Sequence, residues 1–186
     1  MCTNFRCRTA TDGSVVVGRS MEFPPGIPWC LGVVPVGHAG VASGAPAGKG
    51  LTWTATYGVV GISAFGKPTL ITDGMNTQGL SGHGLYMPGG FCEYSTVTDG
   101  ARSLSEVDVL TYLLGTCGSL SEVRQAMSGV EVFGFDPGMG LVPPLHFLMH
   151  DRSGSLAIEF HAGGEISIVD NPLGVGTNAP YLDWHL

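Results

Sequence analysis

A chain of 186 residues with 44% hydrophobic and only 12% charged residues, at a mean hydropathy of +0.26, can bury a real core and is not a disordered segment. Its net charge of −7 and pI near 5.1 argue against nucleic acid, whose phosphates demand a basic face. No apolar run approaches membrane length and no basic-apolar-small leader opens the chain, so no membrane partner is expected; the expected location is cytoplasmic, or periplasmic or secreted if a leader has been removed.

The N-terminus reads as a hairpin: Thr3 to Thr9 and Ser14 to Met21 are β-prone runs joined by Thr11-Asp12-Gly13. Pro24-Pro25-Gly26-Ile27-Pro28 excludes regular structure, Leu31 to Val36 predicts a strand, and Gly37 to Gly50 predicts a mobile surface loop. Thr52 to Ala64 and Thr69 to Thr72 resume β character, followed by a predicted turn at Asp73-Gly74. Gly79 to Leu85 is glycine-heavy for a strand, which fits close backbone approach to a ligand or neighbour, or a bulge. Two helices come next, the first capped by Ser105 with Val109, Leu110, Leu113 and Leu114 on one face, the second opened by Ser121-Glu122. The chain then returns to strands at Leu145 to His150, Ser155 to His161, Glu165 to Val169 and Val175 to Asn178, with a turn at Asp151 to Gly154. Strands, two helices and strands again make a mixed sheet with a helical layer, with no internal repeat and no linker, hence one domain over 1–186.

Five cysteines (Cys2, Cys7, Cys30, Cys92, Cys117) are an odd number in a chain too long for a disulfide scaffold. No CxxC occurs and no spacing suits zinc, so Cys7, Cys30, Cys92 and Cys117 are read as reduced and structural. The six histidines show no metal-ligand spacing and no link to a serine; no metal and no cofactor is expected.

Cys2 carries the chemistry. Removal of the initiator methionine leaves a thiol and an α-amine on one residue, and an α-amine titrating near ~7.7–8.0 can accept the thiol proton at neutral pH. The competing reading is a cysteine that starts a buried strand.

Met1-Cys2-Thr3, then Gly18-Arg19-Ser20-Met21-Glu22-Phe23, then Asp73-Gly74-Met75-Asn76 leading into Gly79-Leu80, then Thr177-Asn178-Ala179-Pro180 before Asp183-Trp184-His185 occur in that order. Together they resemble the choloylglycine hydrolases, the bile salt hydrolase and penicillin V acylase family of N-terminal nucleophile hydrolases, and the hairpin from Leu145 to Glu159 resembles the family as well. The resemblance implies an α+β fold, an αββα sandwich of two packed, mainly antiparallel sheets with helical layers. It also implies a homo-oligomer, a tetramer in the family, and a small-molecule amide substrate.

Residue by residue, Cys2 resembles the nucleophile that forms a thioester, and Arg19 the arginine that favours its thiolate. Glu22 stands where the family has an aspartate that orients the α-amine; its extra methylene displaces the carboxylate by about a bond length, and displacements of ~1 Å can cost about a hundredfold. Tyr86 falls where a backbone N–H forms half of the oxyanion hole, and Asn178 resembles the other half through its side-chain amide. A tyrosine at Tyr86 resembles penicillin V acylases, whereas asparagine is typical of bile salt hydrolases. Asn76 is read as satisfying backbone groups rather than as catalytic. Apolar loops around Phe23 to Trp29, Ala64-Phe65 and Tyr86 to Phe91 predict an acyl pocket that includes Phe23, Phe65 and Met87.

The family runs further, and a later arginine of its site would lie beyond Leu186. The resemblance therefore implies an incomplete sandwich and the N-terminal part of the family's full length. The expected activity is cleavage of linear non-peptide amides, penicillin V acylase-like or N-acyl homoserine lactone acylase-like. The alternatives are a conjugated bile salt hydrolase and a non-catalytic truncated relative.

Overall fold

The computed structural model describes residues 1–9, 11–23, 26–96 and 100–186. In chain order the strands and helices are β1 (Thr3–Arg8), β2 (Val15–Ser20), β3 (Cys30–Val34), β4 (Ala39–Val41), β5 (Thr52–Thr54), β6 (Val59–Ser63), β7 (Ile71–Asn76), β8 (Ser81–Tyr86), β9 (Ser103–Ser105), α1 (Val109–Thr116), α2 (Leu120–Ser128), β10 (Glu131–Phe133), β11 (Leu145–His150), β12 (Ser155–His161), β13 (Glu165–Asp170) and β14 (Val175–Thr177).

A seven-stranded antiparallel sheet in the order β13-β12-β11-β8-β7-β6-β3 forms the base. Its central strands are buried on both faces, and their sequences show it. In β11 and β12, Phe147, Met149, Leu156, Ile158 and Phe160 pack toward the helices with Leu110, Leu113 and Leu114. The intervening Leu148 and Ala157 pack on the opposite face with Cys2, Leu85 and Leu182. That alternation is the period-two geometry of a strand. A three-stranded sheet, β14-β1-β2, lies on this second face. The result is an α+β fold of two packed antiparallel sheets with helices against one of them.

The glycines of β8 admit the helical layer. A Cβ on Gly82 would lie 2.7 Å from Leu110 Cδ2 and 2.8 Å from Met149 Sδ, so close approach to a neighbour, not a bulge, explains this strand. The hairpin forms as expected: Gly13 takes φ +71°, and Asp12 Oδ1 accepts from the Ser14 amide at 2.9 Å.

Several expectations are corrected. Asp73-Gly74 is no turn; β7 runs through it, and the reversal comes at Gly79, with φ +81°. The stretch from Gly37 to Gly50 is partly ordered, because β4 pairs with β5 and Gly40 packs on the Trp53 ring. Ser105 ends β9, fully buried, and makes no side-chain cap. The second helix is capped two residues earlier than expected, by Ser119, whose hydroxyl accepts the Glu122 N–H at 3.3 Å while Glu122 Oε2 accepts from Gly118 at 2.9 Å. Pro24 and Pro25 lie outside the described residues. All five cysteines are free, but Cys7 is exposed and Cys30 and Cys92 are half-buried, so of the four only Cys117 is a core residue.

No helix among the described residues is long and apolar enough to cross a membrane.

Candidate functional site

Cys2 immediately precedes β1 and is wholly inaccessible to solvent. The hairpin register sets Arg19 of β2 opposite Asn4, and the guanidinium turns back so that Nη2 lies 3.5 Å from Cys2 Sγ. The backbone carbonyl of Glu22 is 3.9 Å from the same sulfur. Glu22 is otherwise exposed, and its carboxylate binds the α-amine of Met1. With Met1 present, the charge partner of Glu22 is therefore one residue ahead of Cys2.

Asn178, just past β14, reaches the site because β14 pairs with β1 in the register Thr3↔Thr177. Its Oδ1 accepts the Cys2 N–H at 2.5 Å and its amide nitrogen donates to the Tyr86 carbonyl. Thr177 Oγ1 donates to the Cys2 carbonyl at 2.9 Å. The start of the chain is thus held on both backbone polar groups of Cys2.

Tyr86 ends β8. Met87 N–H donates to Pro144 O at 2.6 Å, while Leu145 N–H turns away to the Tyr94 hydroxyl at 2.7 Å. The pair Tyr86↔Leu145 is consequently the non-hydrogen-bonded kind, and the N–H and C=O of Tyr86 both point out of the β8–β11 ladder. That is the side from which Asn178 approaches.

Two further residues of this site were given no role from the sequence: Asp73, which opens the Asp73-Gly74-Met75-Asn76 motif, and His83. Asp73 forms a buried ion pair with Arg19 through Oδ2, and His83 Nδ1 donates to Asp73 Oδ1 at 3.0 Å. A buried arginine demands an acidic partner. The chain offers fifteen acids, however, and although Asp73 opens one of the quoted motifs, nothing in the sequence pairs it with Arg19. Thr177 was missed in the same way. Asn76 is structural, as read: its amide donates to Leu114 O and Cys117 O at 2.9 and 2.7 Å, and its Oδ1 accepts from Gln78 and Leu80.

Beside Arg19 opens an apolar cavity lined by Phe23, Trp29, Phe65, Leu145 and Phe147, among others. The Phe23 ring meets those of Trp29 and Tyr86 edge-on, each at 5.9 Å. Phe65 has φ +57°, the left-handed conformation that no other described non-glycine residue adopts, and it lines the wall. Met87 corrects the expectation: it is fully buried and not among the lining residues, because alternation turns it away from the cavity that Phe23 and Phe65 do line. Val107, Met139, Pro143 and Leu145 line the cavity and were not anticipated.

Burial shapes two neighbouring imidazoles. It depresses His146 to about 4 and is the main cause that holds His150 at about 3, with the guanidinium of Arg6 adding to it. His150 is held neutral between Asn4 Oδ1 at 2.6 Å and Ser155 Oγ at 2.7 Å. Among the described residues, no group of three or more His, Cys, Asp or Glu side chains is placed to hold a metal ion.

Residues 2–186 match the sequence profile of the linear amide C-N hydrolases, choloylglycine hydrolase family. The chain belongs to this family. Among proteins of the choloylglycine hydrolase family it is 26% identical to the bile salt hydrolase/transferase of Clostridium perfringens over 190 residues, covering 100% of this chain and 56% of that protein. It is 31% identical to the bile salt hydrolase/transferase of Lactiplantibacillus plantarum over 132 residues, 70% of this chain and 40% of that protein. Penicillin V acylase from Agrobacterium tumefaciens superposes with a TM-score of 0.81 at 24% identity, over 98% of this chain and 54% of the acylase. A mutant conjugated bile acid hydrolase from Clostridium perfringens superposes with a TM-score of 0.80 at 24% identity, over 100% of this chain and 55% of its own. The chain spans little more than half the length of these solved relatives. As a choloylglycine hydrolase family member, it has the N-terminal nucleophile hydrolase fold.

Proposed function

We propose that this chain carries the nucleophile half of a cysteine N-terminal nucleophile hydrolase that cleaves linear C–N amides, with conjugated bile salts as the first substrate class. The observation that carries the reading is the convergence on Cys2 of Arg19, 3.5 Å from its sulfur, and Asn178, bonded to its nitrogen. The relatives named bile salt hydrolase/transferase support the substrate class.

Loss of Met1 frees the Cys2 α-amine, which Asn178 Oδ1 already holds. The amine takes the thiol proton and the thiolate attacks the amide carbonyl. The guanidinium of Arg19 balances the sulfur charge before attack. Oxygen charge in the tetrahedral intermediate meets the Tyr86 N–H, which points out of its ladder, and the second N–H of the Asn178 amide. The C–N bond breaks, the departing amine takes the proton from the Cys2 ammonium, and the acyl group remains as a thioester. Water, deprotonated by the same amine, cleaves the thioester and regenerates the thiol. The apolar cavity beside Arg19 accepts the acyl body.

One observation favours a second substrate class. Phe23 and Trp29, with Tyr86 packed edge-on behind Phe23, give the cavity an aromatic side suited to an aryl acyl group such as that of penicillin V. Incubating the Met1-free chain with glycine- and taurine-conjugated bile salts, penicillin V and an N-acyl homoserine lactone, and measuring the amine released, decides among them. Release of glycine or taurine supports the first class. No release from any substrate, with the protein folded, overturns the hydrolase reading.

A further inference from the structure

We propose that Asp73 and His83 are positioning residues for the Cys2 site: Asp73 clamps Arg19 against the sulfur, and His83 clamps Asp73. The inference rests on Cys2 being the nucleophile. Arg19 is long and rich in rotamers when free, so its position at 3.5 Å from Sγ needs an opposing hold. Asp73 supplies one through Nη1, in an ion pair whose side chains are only 8% and 11% exposed. The second Asp73 oxygen is taken by His83 Nδ1 at 3.0 Å, which fixes the carboxylate plane.

The clamp stands on strands. Asp73 and His83 are direct partners across the β7–β8 ladder, so both side chains leave the same face of the base sheet toward β2. On the other sheet Arg19 is the ladder partner of Asn4, and Asn4 binds His150, whose ring lies 5.8 Å from that of His83. The polar groups therefore close a circuit between the two sheets, with Cys2 at one corner. Constellations carried on regular elements hold their geometry better than those on loops. Neither Asp73 nor His83 lines the apolar cavity; both line a separate cavity shared with His150 and Arg152. They act through Arg19 and do not contact an acyl group.

The test uses the Met1-free full chain with Asp73→Asn, Asp73→Glu and His83→Leu. Two quantities are read: the rate of iodoacetamide alkylation at the Cys2 peptide, resolved by mass spectrometry from the other thiols, and kcat and KM for amide cleavage. Asp73→Asn is expected to slow alkylation of Cys2 and lower kcat by about ten- to a hundredfold with KM changed less than about twofold, Asp73→Glu recovering part of the loss. His83→Leu is expected to shift both in the same direction by less. A folded Asp73→Asn with alkylation and kcat within about twofold of the parent overturns the proposal, as does an effect confined to KM. If Asp73→Asn does not fold, His83→Leu decides, since it leaves the Arg19–Asp73 pair in place; unchanged alkylation and kcat there overturn the clamp. If the parent cleaves no amide, the hydrolase reading fails, and the alkylation rates alone decide this one.

Discussion

The side-chain carbonyl of Asn178 accepts the backbone N–H of Cys2 at 2.5 Å while its amide donates to Tyr86 O, so one side chain ties β14, the chain start and the end of β8 together. Asn178→Ala breaks both bonds at a partly buried point. The expected loss is about 1–3 kcal/mol of stability, from groups left unpaired. Turnover should fall by ~10²–10³, the usual effect of removing an oxyanion donor. Thermal unfolding and amine release check the two effects separately.

The proposed mechanism makes Met1 a block on activity. While it remains, the nitrogen of Cys2 is an amide and cannot take a proton, and the Glu22 carboxylate is engaged with the Met1 amine. Chain retaining Met1 should release no amine, and treatment with methionine aminopeptidase should switch release on. Cys2→Ala should stay silent in both forms. Intact mass followed against product release checks this; full activity in the Met1-retaining form would sink the mechanism.

Gly61 permits β6 and β7 to meet. A Cβ there would lie 2.1 Å from Asp73 O and 2.7 Å from Gly74 Cα, both backbone, so nothing flexible can yield. Gly61→Ala should destabilise the fold by about 1–3 kcal/mol or more. Because the displaced strand carries Asp73, Arg19 should loosen as well. A denaturant midpoint shifted to lower concentration is the expected result.

Stability should peak between mildly acidic and neutral pH. His146 and His150, held by burial near 4 and 3, lose nothing above the ordinary imidazole range. As pH falls below 6.5, the unfolded chain takes up protons that the folded one refuses, and stability drops through those two values. Glu106 acts in the opposite direction. Burial raises it from 4.5 to about 8, so the stability it contributes is complete below 4.5 and is lost as pH rises through about 8. Glu106→Gln should flatten a melting-temperature profile between 4.5 and about 8 and leave its slope below 4.5 unchanged. Parallel profiles for the two proteins would contradict this.

The parts of the fold that local chemistry dictates were legible. The hairpin was readable because Thr11-Asp12-Gly13 is a turn sequence set between two β-prone runs, and β11 and β12 because two apolar runs flank the turn residues Asp151 to Gly154. Reading failed where a local turn signal met a tertiary demand. Asp73-Gly74 has turn composition, yet Gly74 is needed for close packing against β6, and the carboxylate of Asp73 is buried against Arg19. Gly37 to Gly50 has loop composition, yet Gly40 is where the Trp53 ring rests.

The site divides along the same line. Cys2, Arg19, Glu22, Tyr86 and Asn178 were named from motif order, which records chemistry at fixed places along the chain. Sequence by itself determined that a thiol stands behind Met1, that a β hairpin follows it, and that the core is apolar enough to bury both. Only the tertiary structure decided which acid faces Arg19, which imidazole braces that acid, and that Met87 turns away from the cavity. Those facts follow from strand register between segments tens of residues apart, and register is set by packing between the sheets, where no single segment carries the information.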